Sequence, residues 1–311
     1  MTLIGAVFRI CWYLIKNQDK KRECLKLEKA GNIQARDEKV RTLVPEWANY
    51  MIDLMGNHKA TVKVFGQENI PQDSAVVFIA NHQGYLDIPV LLAHSNKQLG
   101  FISKAEVLKV PILSDWMKLM QCVFLKRNSP RQSVEAMSKA VETVKKGYSL
   151  VIFPEGHRSK GGPIQKFKAG SFKLAFRSEV PIVPVTIDGT WHLFEEKRKP
   201  NPANIKLTFH PAILTKGLTK EEQAAIEEMN MVLASLNMEI LTAKDDEGVA
   251  EIFNAQVSKG IFENFYYLGE RFLIKYNGNY YDVREEKKGN GIDVYEDQYR
   301  VHKYLSSNLA E

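Results

Sequence analysis

The sequence has no apolar run of membrane-spanning length. The apolar stretch near its start, residues 3–15, contains Arg9 and falls well short of the roughly 20 residues that a spanning helix needs. No small-residue cleavage site follows it, so a signal peptide is not expected. Cysteine is scarce. Cys11, Cys24 and Cys122 are odd in number and show no CxxC spacing, which argues against a disulfide framework and a thiolate zinc site and suits a reducing compartment. Three catalytic signatures are also missing: the GxSxG elbow of serine hydrolases, the HExxH zinc helix and the GxxxxGKS/T phosphate loop.

The 311 residues, 44% hydrophobic and 26% charged, have the composition of a globular protein, with room for one large domain plus attachments or for two domains. The net charge of +6 is uneven: residues 1–60 carry +4, residues 61–218 carry +10 and residues 219–311 carry −8. A basic body with an acidic tail points to anionic partners such as phosphates, an anionic membrane surface or nucleic acid. Residues 3–15 place Phe8, Trp12 and Tyr13 ahead of Lys16, Lys20, Lys21 and Arg22. That order suits a helix lying in the interface of an anionic leaflet with its basic residues on the headgroups; the competing reading is a helix packed on the protein's own body.

Apolar, β-branched runs at residues 61–65, 75–80, 99–103, 122–125, 149–153, 182–187 and 205–209 read as strands. Helical segments are expected between them at 88–94, 114–119, 129–146 and 171–177. The alternation predicts an α/β fold, a largely parallel sheet flanked by helices. An N-terminal amphipathic helical segment precedes it, and an α-helical or mixed C-terminal extension follows. The expected divisions are 1–43, 44–218 and 219–311, the last opening with a long helix in LTKEEQAAIEEMNMVLASLNMEILTAK.

In open parallel sheets ligands gather at the carboxyl ends of the strands. Three strand ends carry polar clusters: NHQGYLD after residue 80, PEGHRSKGG after residue 153, and Lys126-Arg127 after residue 125. His82 could serve as a general base, with Asp87 on its other ring nitrogen fixing the tautomer. A turn histidine beside an aspartate that caps the next helix fits the same letters. Glu155 and Gly156 begin a loop that continues through Arg158, Lys160, Lys166 and Lys168, side chains suited to an anion, and Gly161-Gly162 permits close backbone approach. A base without a protein nucleophile implies that the nucleophile belongs to the substrate.

Four ordered motifs resemble those of the glycerolipid acyltransferases of the 1-acyl-sn-glycerol-3-phosphate acyltransferase type. Asn81, His82 and Asp87 match NHxxxxD. VFLKR resembles the second motif and places its arginine at Arg127. Phe153, Pro154, Glu155, Gly156, Arg158 and Ser159 match FPEGTRS, and VPIVPV resembles the fourth motif. The resemblance covers about residues 44–214. It implies His82 as base, Asp87 as its orienter, and a phosphate pocket of Arg127, Glu155, Gly156 and Arg158 helped by Lys168. It also implies an acyl thioester of coenzyme A or acyl carrier protein as co-substrate, lysophosphatidic acid as acceptor, and no metal or other cofactor. The expected setting is peripheral attachment to the cytoplasmic face of a membrane. Two residues depart from the pattern: His157 stands where threonine is usual, and Lys126 where an acidic residue is common. Acylation of another lysolipid or of glycerol 3-phosphate, and a non-catalytic membrane-binding module, stay open as alternatives. No motif supports nucleic-acid binding.

Overall fold

The computed structural model describes residues 1–110, 112–125, 130–162, 167–220 and 223, together with the backbone of four later strands. The chain forms two compact units, Met1–Glu227 and Glu228–Glu311.

In the first unit, seven strands form one sheet: β1 (Thr61–Phe65), β2 (Val77–Ala80), β3 (Leu99–Lys104), β4 (Val123–Leu125), β5 (Ser149–Ile152), β6 (Ile182–Asp188) and β7 (Asn204–Phe209), in the order β1-β7-β6-β2-β5-β3-β4. Every pairing is parallel except β6 with β7. All four residues of β2 and of β5 are buried, as expected of central parallel strands covered on both faces, and their sequences VFIA and SLVI contain no charge.

The chain leaves β2 through α4 (Asp87–His94) and passes over β5 to reach β3. It leaves β5 through α7 (Lys173–Ser178) and passes over β2 to reach β6. These crossovers run in opposite directions, and because such connections share one hand, their helices cover opposite faces of the sheet. The helix α3 (Ile33–Met55) packs on α4, while α6 (Pro130–Lys145) packs on α7. The adjacent carboxyl ends of β2 and β5 therefore lie at a topological switch point, where open α/β sheets form their crevice.

Two helices precede α3: α1 (Leu3–Lys16) and α2 (Gln18–Lys29). The α1 helix has two apolar faces. Ala6 is fully buried, Ile10 packs against the core, and Tyr13 stacks on Tyr50 of α3 with ring centroids 4.5 Å apart. Outward, at helical spacing, stand Ile4, Phe8, Trp12 and Ile15, each between 59% and 83% exposed. Among the described residues no helix is long and apolar enough to cross a membrane. Lys21 differs from expectation. It is buried and pairs with Asp115 of α5 (Leu113–Leu119) at 2.7 Å, so it fastens α2 to the body and presents no charge outward. The division expected after residue 43 falls inside α3, which runs unbroken through Pro45.

The second unit contains an antiparallel sheet of β8 (Asn264–Tyr267), β9 (Arg271–Tyr276), β10 (Asn279–Glu286) and β11 (Gln298–Tyr304), in the order β11-β10-β9-β8. The long helix expected after residue 218 lies outside the described residues.

Candidate active site

The chain leaves β2 at Asn81, whose carboxamide binds the backbone of β6 twice. Its Nδ2 donates to the Ile187 carbonyl and its Oδ1 accepts from the Ile187 N–H, both at 2.8 Å. This strap fixes the direction in which the next residue, His82, leaves the sheet edge. The turn then folds back so that Asp87, the first residue of α4, points its carboxylate at the residues before it. Asp87 Oδ2 lies 2.6 Å from His82 Nδ1 and accepts the N–H groups of Gln83 at 2.7 Å and Gly84 at 2.9 Å. Its Oδ1 accepts from the Thr190 hydroxyl, which follows β6. Asp87 is fully buried. Four donors on two oxygens offset the desolvation of that carboxylate. The aspartate does not cap α4, whose N-cap is Leu86 without a side-chain bond; it satisfies the turn amides ahead of the helix and holds the His82 ring by Nδ1.

A carboxylate only accepts, so in the neutral imidazole Nδ1 carries the proton and Nε2 is left as the basic nitrogen. The His82 ring stacks on Phe153 at 4.0 Å, and its side chain is 16% exposed.

The loop after β5 is sewn to this turn through the backbone. Ser159 N–H donates to the His82 carbonyl at 2.7 Å and Lys160 N–H to the Gln83 carbonyl at 3.0 Å. Glu155, buried, accepts the His82 N–H at 2.6 Å. Gly156 has φ +74°, and a Cβ there would come within 2.6 Å of Lys168 Nζ, so glycine both permits the turn and admits the lysine. Lys168 N–H donates to the Pro154 carbonyl at 3.0 Å. Gly161 also makes a close approach, but to protein: a Cβ there would meet the Trp191 indole at 2.6 Å.

Arg158 lies with its guanidinium carbon 3.5 Å from the centre of the Tyr85 ring and donates to Glu195 Oε1 at 3.0 Å. His82, Asp87, Glu155, Gly156, Arg158 and Lys168 thus share one edge of the sheet. Arg127 and Lys166 lie outside the described residues; β4, which precedes Arg127, ends on the same edge. His157 is exposed. Sequence reasoning missed Thr190, Phe153 as a ring partner, Tyr85 and Glu195. Thr190 follows the end of β6 and was within reach of the strand-end rule; Glu195, in the charged stretch FEEKRK, carries no local signal.

Among the described residues no cluster of histidine, cysteine and carboxylates has the makings of a metal site. The Cys122 thiol is buried away from this site: burial pushes it up to about 12, which disfavours the reactive thiolate, and its sulfur accepts the Phe101 N–H.

Residues 61–188 match the Acyltransferase family model. The 1-acyl-sn-glycerol-3-phosphate acyltransferase BAT2 of Brassica napus is 35% identical over 176 residues, 56% of this chain and 50% of the relative. The enzyme LPAT1 of Arabidopsis thaliana is 37% identical over 49% of this chain and 43% of its own length. This chain thus spans about half the length of these relatives. The crystal structure of the 1-acyl-sn-glycerophosphate acyltransferase PlsC of Thermotoga maritima superposes with a TM-score of 0.59 at 26% identity, covering 75% of this chain and 98% of that one.

Proposed function

We propose that this chain, whose residues 61–188 match the Acyltransferase family model, transfers a fatty acyl group from a thioester to the sn-2 hydroxyl of 1-acyl-sn-glycerol 3-phosphate and forms phosphatidic acid. The observation that carries this reading is the buried Asp87 carboxylate on His82 Nδ1, at a sheet edge whose neighbouring loop presents Arg158 and Lys168. Among the described contacts the His82 ring meets Asp87 and Phe153, and neither supplies a nucleophile.

In this reading His82 Nε2 removes the proton from the acceptor hydroxyl as its oxygen attacks the thioester carbonyl. The tetrahedral intermediate collapses, the C–S bond breaks, and the imidazolium returns its proton to the departing thiolate. Asp87 stabilises the imidazolium in between. A positioned base of this kind is worth about 10²–10⁴ in rate, and holding both substrates in register supplies more. Arg158, Lys168 and Arg127 would bind the acceptor's phosphate, arginine through its planar fork and lysine as a point charge. The thioester carrier is coenzyme A or acyl carrier protein. No metal or other cofactor enters this scheme.

Both substrate and product are lipids, so the crevice must meet a bilayer. We assign that contact to the outward stripe Ile4, Phe8, Trp12 and Ile15 of α1, followed by the exposed cations Lys16, Lys20 and Arg22. Three unpaired cysteines fit the cytoplasmic face.

The deciding experiment is release of thiol from oleoyl-coenzyme A, and from oleoyl acyl carrier protein, with lysophosphatidic acid in detergent micelles. Acceptor-dependent release that disappears in His82→Ala is the expected result. Release that survives in the variant would remove His82 from the mechanism, and activity only with another lysolipid or glycerol 3-phosphate would reassign the acceptor.

A further inference from the structure

Glu195 lies outside every motif that points to the site, yet its carboxylate enters it. The side chain is 4% exposed. One oxygen, Oε1, accepts both the Tyr85 N–H at 2.7 Å and the Arg158 guanidinium at 3.0 Å. The other, Oε2, is buried without a hydrogen-bond partner and sits against Gly84, where a Cβ would come within 2.7 Å. Burial pushes the Glu195 carboxyl above its ordinary range, against the lowering effect of the Tyr85 amide and Arg158. A carboxylate is costly to hold in such a place, with one oxygen dry.

The geometry points to a role. Tyr85 supplies the ring under the Arg158 guanidinium and also the N–H that shares Oε1, so Arg158, Tyr85 and Glu195 close a triangle. An arginine on a flexible stem loses much side-chain entropy when it binds a phosphate; one already clamped at its face and at one nitrogen has lost it beforehand. Five N–H donors make up the guanidinium, and the Glu195 contact uses one, leaving others for an anion. We infer that Glu195 is a positioning residue that holds Arg158 ready for the phosphate of the acceptor and thereby sets acceptor affinity. This inference rests on the acyl-transfer reading above.

Reach and charge are separable by substitution. Glu195→Gln keeps an accepting oxygen at the same reach without the charge, whereas Glu195→Asp keeps the charge on a side chain one methylene shorter. Steady-state kinetics with oleoyl-coenzyme A and lysophosphatidic acid should show acceptor KM within about threefold of wild type for Glu195→Gln and raised about tenfold for Glu195→Asp and Glu195→Ala. The kcat and the donor KM should stay within about threefold in all three. Combining Glu195→Ala with Arg158→Ala should be no worse than Arg158→Ala alone, because the glutamate acts through the arginine. Four results would overturn the inference. They are an unchanged acceptor KM in Glu195→Ala, a reversed order in which Asp behaves as wild type and Gln does not, equal losses in acceptor KM and donor KM, and effects of the two alanine substitutions that multiply. A wild-type protein that acylates no lysolipid would fell the parent reading and this one with it, an outcome distinct from all four.

Discussion

Thr190 and His82 both bind the carboxylate of Asp87, one on each oxygen. They come from different strands: His82 follows β2, and Thr190 follows β6. The aspartate thereby ties two neighbouring strand ends together at the point where the histidine must be held still. Replacing it with asparagine keeps the shape and removes the charge: the Gln83 and Gly84 N–H groups require an oxygen beside Nδ1, so the amide oxygen keeps the Nδ1 proton and the imidazolium loses its counter-charge. Asp87→Asn should lower kcat by about 10²–10⁴ with little change in either KM. Acyl-transfer kinetics on the purified variant check this, and a loss confined to KM would contradict it.

Asn81 should matter for stability more than for chemistry. Its carboxamide satisfies the N–H and the carbonyl of Ile187 together, in a buried position. Asn81→Ala leaves two buried backbone groups without partners, at a cost of about 1–3 kcal/mol each. Asn81→Asp is expected to be no better, because a carboxylate oxygen would then face the Ile187 carbonyl. Urea unfolding of both variants measures the loss; a change below about 0.5 kcal/mol in Asn81→Ala would mean that water replaces the strap.

The three cysteines should separate cleanly under alkylation. Cys11 is exposed on α1, whereas Cys24 and Cys122 are buried, and burial raises both of their thiols, that of Cys122 to about 12. Only the thiolate reacts, so iodoacetamide at pH 8 should label Cys11 alone in the native protein and all three in denaturant. Mass spectrometry of the labelled peptides gives the answer. Rapid native labelling of Cys122 would mean that the β3–β4 edge opens readily.

Vesicle binding should depend on the outward face of α1. Phe8→Ser and Trp12→Ser each remove a large apolar side chain from the stripe, and each should weaken binding to anionic vesicles by about tenfold or more. High salt should weaken wild type as well, through the exposed cations Lys16, Lys20 and Arg22. Co-sedimentation with vesicles of phosphatidylcholine, with and without an anionic lipid, tests both effects. Binding unaffected by the two serine substitutions would place the membrane contact elsewhere.

Much of the first unit is legible in the sequence because its strands are short apolar runs bounded by turn residues. Residues 61–65 form β1 as expected, and the other six expected strands differ from the observed ones by one or two residues at their ends. The polar turns after β2 and β5 likewise meet at one sheet edge, while Lys126-Arg127 after β4 lies outside the described residues. The sheet of the second unit was not expected, although Asn277-Gly278, a strong hairpin signal, stands in the sequence between the strands now seen as β9 and β10.

The sequence by itself determined what depends on neighbours along the chain: the alternation of strands and helices, the apolar centre of the sheet, and the spacing that lets Asp87 turn back on His82. Tertiary structure alone decided what depends on distant segments. It turned Lys21 inward to Asp115, placed Thr190 on the far oxygen of Asp87, seated Gly161 on Trp191, and brought Glu195 to Arg158, 37 positions earlier in the chain. Local periodicity reports which face of an element is buried, but not which side chain of another element will meet it there. A buried charge draws its partner from wherever the fold can supply one, and that choice is made only when the strands have taken their order in the sheet.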